Sequence, residues 1–188
     1  MLLKRKPKVA DKLDEILRVI DKNGEWTGRY DTRGNIHTNG NYYNNVATWI
    51  INTKNNTVLL EHRSPNKIRN PDKWCLPGGH IGGDDTPTIS AQEEVKEEVG
   101  LDINIKKFKF LCISGPIDGS KSFTHHFYVL ENKPRQYFKI QKEEVVEVRY
   151  VNYEDWKGLV KSNSKKVSPK WDKWSNAFEL MDKVLKNK

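Results

Sequence analysis

The chain has 188 residues, 33 Lys and Arg against 25 Asp and Glu, a net charge of +8 and a pI near 9.3. That is one domain of ordinary size with room for a terminal extension, and 36% apolar residues suffice for a core. No apolar run approaches the roughly 18 residues of a membrane span, the charged start lacks the apolar stretch of a signal peptide, and Cys75 and Cys112 lie outside any CxxC spacing, which excludes a disulfide scaffold.

In chain order, Val9, Leu13, Ile16, Leu17 and Ile20 recur at helical spacing with Gly24 as a stop, which predicts an N-terminal amphipathic helix as an extension over residues 1–24. "EWTGRYDTRG" reads as a short strand or hairpin turning at Gly28 and Gly34. "NNVATWIINTKNNTVLLEHRS" reads as two strands around "TKNN", and "SPNKIRNPDKW", with two prolines, as a loop. After a glycine loop comes a helix from Pro87 to about Val99, capped by Thr86 and stopped by Gly100, with Leu101 folding back on its last turn. Strand-like runs follow at Ile103–Ile113, Phe123–Leu130 and Val145–Val151, then a short helix in "NYEDWKGLV". Ser168 as cap and Pro169 in the first turn predict a C-terminal amphipathic helix within 165–188, its stripe formed by Trp171, Trp174, Phe178, Met181 and Leu185. Helices interrupting strands point to a single α/β or α+β domain over 1–188.

The charge is unevenly spread. Asp84, Asp85, Glu93, Glu94, Glu97 and Glu98 crowd into one stretch of a basic chain, directly behind four glycines. Glu94, Glu97 and Glu98 share one helix face; Thr88, Ala91, Val95 and Val99 form the adjacent stripe that can pack on a sheet. Like charges at i, i+4, as in Glu93–Glu97 and Glu94–Glu98, destabilise a helix by about 0.2–0.5 kcal/mol per pair, and acids in its last turns also oppose the helix dipole. Two accounts offset this: surface lysines around a solvent-facing acidic helix, or a hard divalent cation gripped by carboxylate oxygens. Gly78 and Gly79 favour the second, because a loop without side chains lets a phosphate approach backbone N–H groups.

The loop and helix together resemble the Nudix hydrolase family, whose motif runs G-x5-E-x7-R-E-U-x-E-E-x-G-U with U a bulky apolar residue. Gly79 opens it, Asp85 stands at the first Glu and Glu93 at the Arg; Glu94, Val95, Glu97, Glu98, Gly100 and Leu101 match. "LPGGHI", "WIINTKNNTVLLEHRS" and "EVVEVRYVNYEDW" also resemble the family. The resemblance implies an α/β/α sandwich around a mixed sheet, and cleavage of a nucleoside diphosphate linked to another moiety with Mg²⁺ or Mn²⁺. It implies that Glu94, Glu97 and Glu98 are metal ligands, that Gly79 adds a backbone ligand or the room for one, and that one of these acids or a later one acts on water. Glu144 has the best spacing for that later acid, with Glu143 and Glu147 beside it. Gly78, Gly79, His80 and Arg63 are the expected substrate contacts. Glu93 cannot perform the holding role of the family's Arg, so either another cation, Lys96 or one remote in sequence, compensates, or activity is reduced.

Two other functions fit parts of the chain. The N-terminal half also resembles isopentenyl diphosphate isomerases of the same fold, but these need a thiol just ahead of a His, and His80 follows Gly78 and Gly79. A non-catalytic module binding ADP-ribose or a similar nucleotide is the alternative that Glu93 favours. His125 and His126 alternate on a strand, so one is expected at the cleft; Trp26, Tyr42, Tyr43 and Trp49 are candidates for stacking on a base. The expected partner is a small-molecule nucleoside diphosphate derivative. The basic excess suits a polyanion, but without Arg interleaved among aromatics nucleic acid is not indicated. A reduced, cytoplasmic setting is expected from the cysteines.

Overall fold

The computed structural model describes residues 11–117, 119–132 and 138–187. Its centre is a six-stranded mixed sheet. Strand β3 (Tyr43–Asn52) runs parallel to β7 (Ser122–Leu130), and the remaining pairings are antiparallel. Strand β6 (Lys109–Ser114) closes the edge beyond β7, while β8 (Val145–Asn152) pairs along β4 (Thr57–Arg63). The short β5 (Trp74–Cys75) pairs with Glu61 and His62 of β4, beyond the stretch held by β3.

Both faces of the sheet are covered, which explains the nearly unbroken apolar run of β3. Ala47, Trp49 and Ile51 face α3 (Tyr153–Lys161) and α4 (Trp171–Lys186), in a cluster with Trp156, Trp174, Phe178 and Met181. Val46 and Ile50 face the other way, onto Ala91, Val95 and Val99 of α2 (Pro87–Val99). This is the α/β/α sandwich, with the stripe of α2 packed on the sheet as its spacing predicts.

Three expectations change. Val9 lies outside the described residues, and the rest of the expected N-terminal helix is instead turn and strand: β1 (Ile16–Ile20) pairs antiparallel with β2 (Trp26–Thr32). Leu17 and Val19 are buried with Ile36 and Tyr43 while Ile16 is 51% exposed, a strand's alternation that ends at Ile20, also buried, where the pairing with β2 shifts register. Gly34, read as a turn, lies inside a short helix α1 (Arg33–Asn39), capped by Thr32 and ended by Gly40 in the left-handed region. Ser168 does not cap the last helix. Its N–H donates to the Trp74 carbonyl, and α4 begins three residues later behind Lys170, without a side-chain cap.

The Ile103–Ile113 run is broken by a 3-10 turn at Ile105–Lys107 before β6 begins. Cys75 and Cys112 are both free and buried, and no helix among the described residues is long and apolar enough to cross a membrane.

Candidate active site

Helix α2 starts where Thr86 accepts the Ile89 N–H and ends at Gly100, whose φ of 70° is left-handed. No side chain fits at Gly100, because a Cβ there would lie 2.7 Å from the backbone of Lys139. The glycine loop before the helix is just as tightly placed. A Cβ on Gly78 would sit 2.2 Å from the Val46 carbonyl, and one on Gly79 would sit 2.0 Å from Glu94 Oε1. The loop is laced to β3 by Val46 N–H to the Gly79 carbonyl and Thr48 N–H to the Pro77 carbonyl, both 2.9 Å. Gly78 N–H donates to Glu98 Oε2 at 2.8 Å.

The three helix acids therefore have different surroundings. Glu98 is 2% exposed. Burial raises its pKa well above the carboxylate range and the neighbouring Glu61 adds to this, against Arg63 and the Gly78 N–H. Glu94 is partly buried, and its pKa is also raised well above that range, by burial and then by Glu98, Glu144, Glu15 and Glu97. Glu97 turns outward to an exposed ion pair with Lys12, 3.3 Å away. Asp85, at the family's first Glu, accepts from Ser90 Oγ at 3.3 Å and so braces the start of the helix.

Facing this wall is a basic one, across a cleft of about 420 Å³. Lys67 is 6% exposed and lies 2.5 Å from Glu144 Oε2 and 3.4 Å from Asp11. Arg33 pairs with Asp11 and Glu15. Burial pushes the Asp11 carboxyl up, but the Ile68 N–H, Lys67 and Arg33 outweigh it and hold it below the usual value. Arg69 donates to Tyr43 Oη at 3.0 Å. Tyr43 stacks on His80, whose Nε2 lies 3.2 Å from Nε2 of His37. Burial and the surrounding cations, Arg33 first, keep His80 well below its ordinary pKa; burial and then Arg69 lower His37 to about 4.

A family model described as NUDIX domain matches residues 42–171. The chain belongs to the Nudix family. It is 34% identical over 157 residues to Nudix hydrolase 3 of Arabidopsis thaliana; the match takes in 78% of this chain but only 20% of that protein, so the chain spans about a fifth of this relative's length. It is 27% identical to an uncharacterised Nudix hydrolase of Listeria monocytogenes, over 75% of this chain and 82% of that one. Among solved structures it is similar to DR0079 of Deinococcus radiodurans, with a TM-score of 0.68 at 15% identity over 90% and 98% of the two chains. It also resembles the Nudix domain of Shewanella oneidensis NrtR crystallised with ADP ribose, with a TM-score of 0.58 at 18% identity over 77% and 88%. At these identities the two structures speak to the fold alone.

Within this Nudix domain, Gly78, Gly79, His80, Arg63, Glu94, Glu97, Glu98 and Glu144 all line the one cleft. Glu97 is paired with Lys12 and Glu144 with Lys67, and among the described residues no three His, Cys, Asp or Glu side chains are grouped as a ready metal cage. Some expectations are corrected. Neither His125 nor His126 reaches the cleft: His125 meets Asn44, and His126, fully buried, bonds to Trp49 Nε1 and Ser114 Oγ. Of the four aromatics expected to stack on a base, Tyr43 alone lines the cleft, joined at the far end by Trp174; Trp49 is core. Lys96 is exposed on the helix, and the cation paired with a motif acid is Lys12, 3.3 Å from Glu97.

Sequence reasoning missed Glu15, Arg33, Lys67 and Arg69. The signal for the three cations was a density of basic residues in "SPNKIRNPDKW" and at the start of α1, which nothing tied to the motif; Glu15 had none. The carboxylates around Glu94 supply only hard oxygen donors, and Gly79 leaves space for close backbone approach, so the residues present suit Mg²⁺ or Mn²⁺.

Proposed function

We propose that this Nudix domain is a divalent-metal-dependent pyrophosphohydrolase. Its substrate would be a nucleoside diphosphate linked to another moiety, with Mg²⁺ or Mn²⁺ held by Glu94, Glu97 and Glu98 and by the Gly79 backbone. The observation that carries this is the charge lining of the cleft: Glu94, Glu97 and Glu98 of α2 stand on one side, and Lys67, Arg33 and Arg69 on the other, with Glu144 and Glu15 held against the first two of these cations. A pyrophosphate resists an anionic nucleophile, and a bound divalent ion would neutralise its oxygens and lower the pKa of nearby water. The chain's residues then divide the remaining work. Arg69 is exposed, its side chain donates to Tyr43 Oη, and its other N–H groups, without a partner among the described residues, can meet a phosphate oxygen. Glu144, steered by Lys67 and by Gln141 Nε2 at 3.3 Å, is placed to take a proton from water. Gly78 and Gly79 let the anion approach main-chain N–H groups, and Tyr43 and Trp174 give apolar surface for the organic part of the substrate.

The isomerase reading finds no support, since Cys75 is buried behind the cleft against Glu61, at 3.2 Å. The test is a panel assay with Mg²⁺ or Mn²⁺ over nucleoside triphosphates, ADP-ribose, dinucleoside polyphosphates, nucleotide sugars and isopentenyl diphosphate, with Glu97→Gln/Glu98→Gln as control. Metal-dependent cleavage of a diphosphate linkage, abolished in the control, is expected. Binding of ADP-ribose without product would establish the non-catalytic module instead.

A further inference from the structure

Resting on that reading, a question follows from position 93: what positions Glu98 when its own helix supplies no cation there? Glu93 is exposed and anionic, and Lys96 is exposed. Glu98 is nearly inaccessible, and its neighbour across the sheet is another buried carboxyl, Glu61, which is 1% exposed. The two carboxyls lie within hydrogen-bonding reach of each other. Glu61 Oε1 accepts from Cys75 Sγ, while Glu61 Oε2 is buried with no donor among the described residues. Burial raises both carboxyls well above the ordinary carboxylate range, so the two can share a proton, and whatever negative charge the pair carries needs a buried counter-charge.

The nearest counter-charge is Arg63, two residues along β4 from Glu61. Its side chain is 14% exposed, with Nη1 3.7 Å from Glu61 Oε1 and 4.0 Å from Cys75 Sγ. Nη2 donates to the Arg69 carbonyl at 3.3 Å. One fork is thus anchored to the loop carrying Arg69 and the other is aimed at Glu61, so the guanidinium is spent on protein groups although Arg63 borders the cleft. We infer that Arg63, acting through Glu61, is the positioning residue for Glu98: it supplies from strand β4 the positive charge that α2 lacks at position 93. Lysine cannot replace it, since a single ammonium does not reach Glu61 and the Arg69 carbonyl from one planar group.

The test is Mn²⁺ titration of the full chain, following free Mn²⁺ by electron paramagnetic resonance, with the metal-free melting temperature of each variant measured in parallel. Arg63→Ala and Arg63→Lys are both expected to weaken Mn²⁺ binding by roughly 10-fold or more, the usual effect of losing a partner that orients a ligand. Glu61→Gln keeps the shape, can donate to Glu98 itself and no longer needs the guanidinium. In that background Arg63→Lys is therefore expected to change Mn²⁺ affinity by less than about 3-fold, a non-additivity that general loss of packing does not produce. Arg63→Lys carries the test if Arg63→Ala fails to fold. The inference is overturned if the Arg63→Lys chain binds Mn²⁺ as tightly as the unaltered chain, or loses the same factor in both backgrounds. If the unaltered chain does not bind Mn²⁺ at all, the proposed function falls and takes the inference with it, so the two failures are distinct.

Discussion

The two adjacent glycines of the loop should respond in opposite ways to the same substitution. In Gly79→Ala the new methyl carbon would lie 2.0 Å from Glu94 Oε1, whereas real Cβ atoms stay beyond about 3.0 Å. Glu94 must therefore retreat by about 1 Å, and it can, because the obstacle is the end of a flexible side chain. Folding should survive with a small loss, but a displacement of about 1 Å at a reacting centre can lower turnover by about 10²-fold. In Gly78→Ala the methyl carbon would meet the Val46 carbonyl at 2.2 Å and the Ala47 Cα at 3.0 Å, both main-chain atoms of the central strand β3. That strand is pinned between β4 and β7, so the clash becomes overpacking of roughly 1–3 kcal/mol. A drop in melting temperature of about 2–12 °C follows for a domain of this size. Differential scanning fluorimetry and steady-state kinetics with saturating Mn²⁺ separate the two effects. If Gly79→Ala lowers stability as much as Gly78→Ala does, or keeps full turnover, then Glu94 is not where the site needs it and the reasoning is wrong.

Three further outcomes are expected. Lys67→Met leaves Asp11 and Glu144 without their shared cation while their side chains are only 3% and 13% exposed, a loss of about 3–5 kcal/mol in chemical denaturation; a loss under about 1 kcal/mol would mean that Arg33 suffices for Asp11. Glu93→Arg removes the like-charge pair with Glu97 and makes an opposite-charge pair at i, i+4, for a gain of about 0.4–1 kcal/mol and higher metal-dependent turnover; unchanged or lower turnover would assign Glu93 a role of its own. The third concerns pH. Burial, then neighbouring carboxyls, raise the folded-state pKa of Glu94 and Glu98 well above 4.5, so protons compete with metal across a window reaching above the ordinary carboxylate range. The gain in melting temperature from saturating Mn²⁺ should therefore grow as pH rises from about 5 to 8. The buried imidazoles, lowered to about 4 in His37 and about 3 in His126, lose stability as pH falls below 6.5 with or without metal, and cancel in that difference. A gain independent of pH would place the metal away from these two acids.

What the sequence revealed and what it hid follow from the range of the interactions involved. Helix α2 was legible to the residue because its boundaries are local chemistry: Thr86 bonds three residues on, and Gly100 alone tolerates its backbone angle. The hairpin of β3 and β4 was legible for the same reason. The N-terminal segment was misread because Ile16, Leu17, Val19 and Ile20 suit a helix face and a strand equally until the partner strand is known, and that partner, "WTGRYDT", is half polar. The basic wall was hidden for a deeper reason. Arg33, Lys67 and Arg69 come from a helix start and a proline-containing loop, and each is just one cation among 33 in the chain.

The contrast between the two walls is itself informative about how such a site is built. A motif helix can be recognised because metal-binding acids must repeat at the spacing of helical turns on one short element. Groups that would orient those acids or receive an anion need only arrive at the right place, and the cations of this cleft arrive from β4, from the loop before β5 and from the start of α1. Glu93 makes the point within the motif. Its charge is opposite to the one the family's motif has there, yet Glu98 is still buried and still receives the Gly78 N–H at 2.8 Å, so its placement does not depend on an arginine at that one place in the chain.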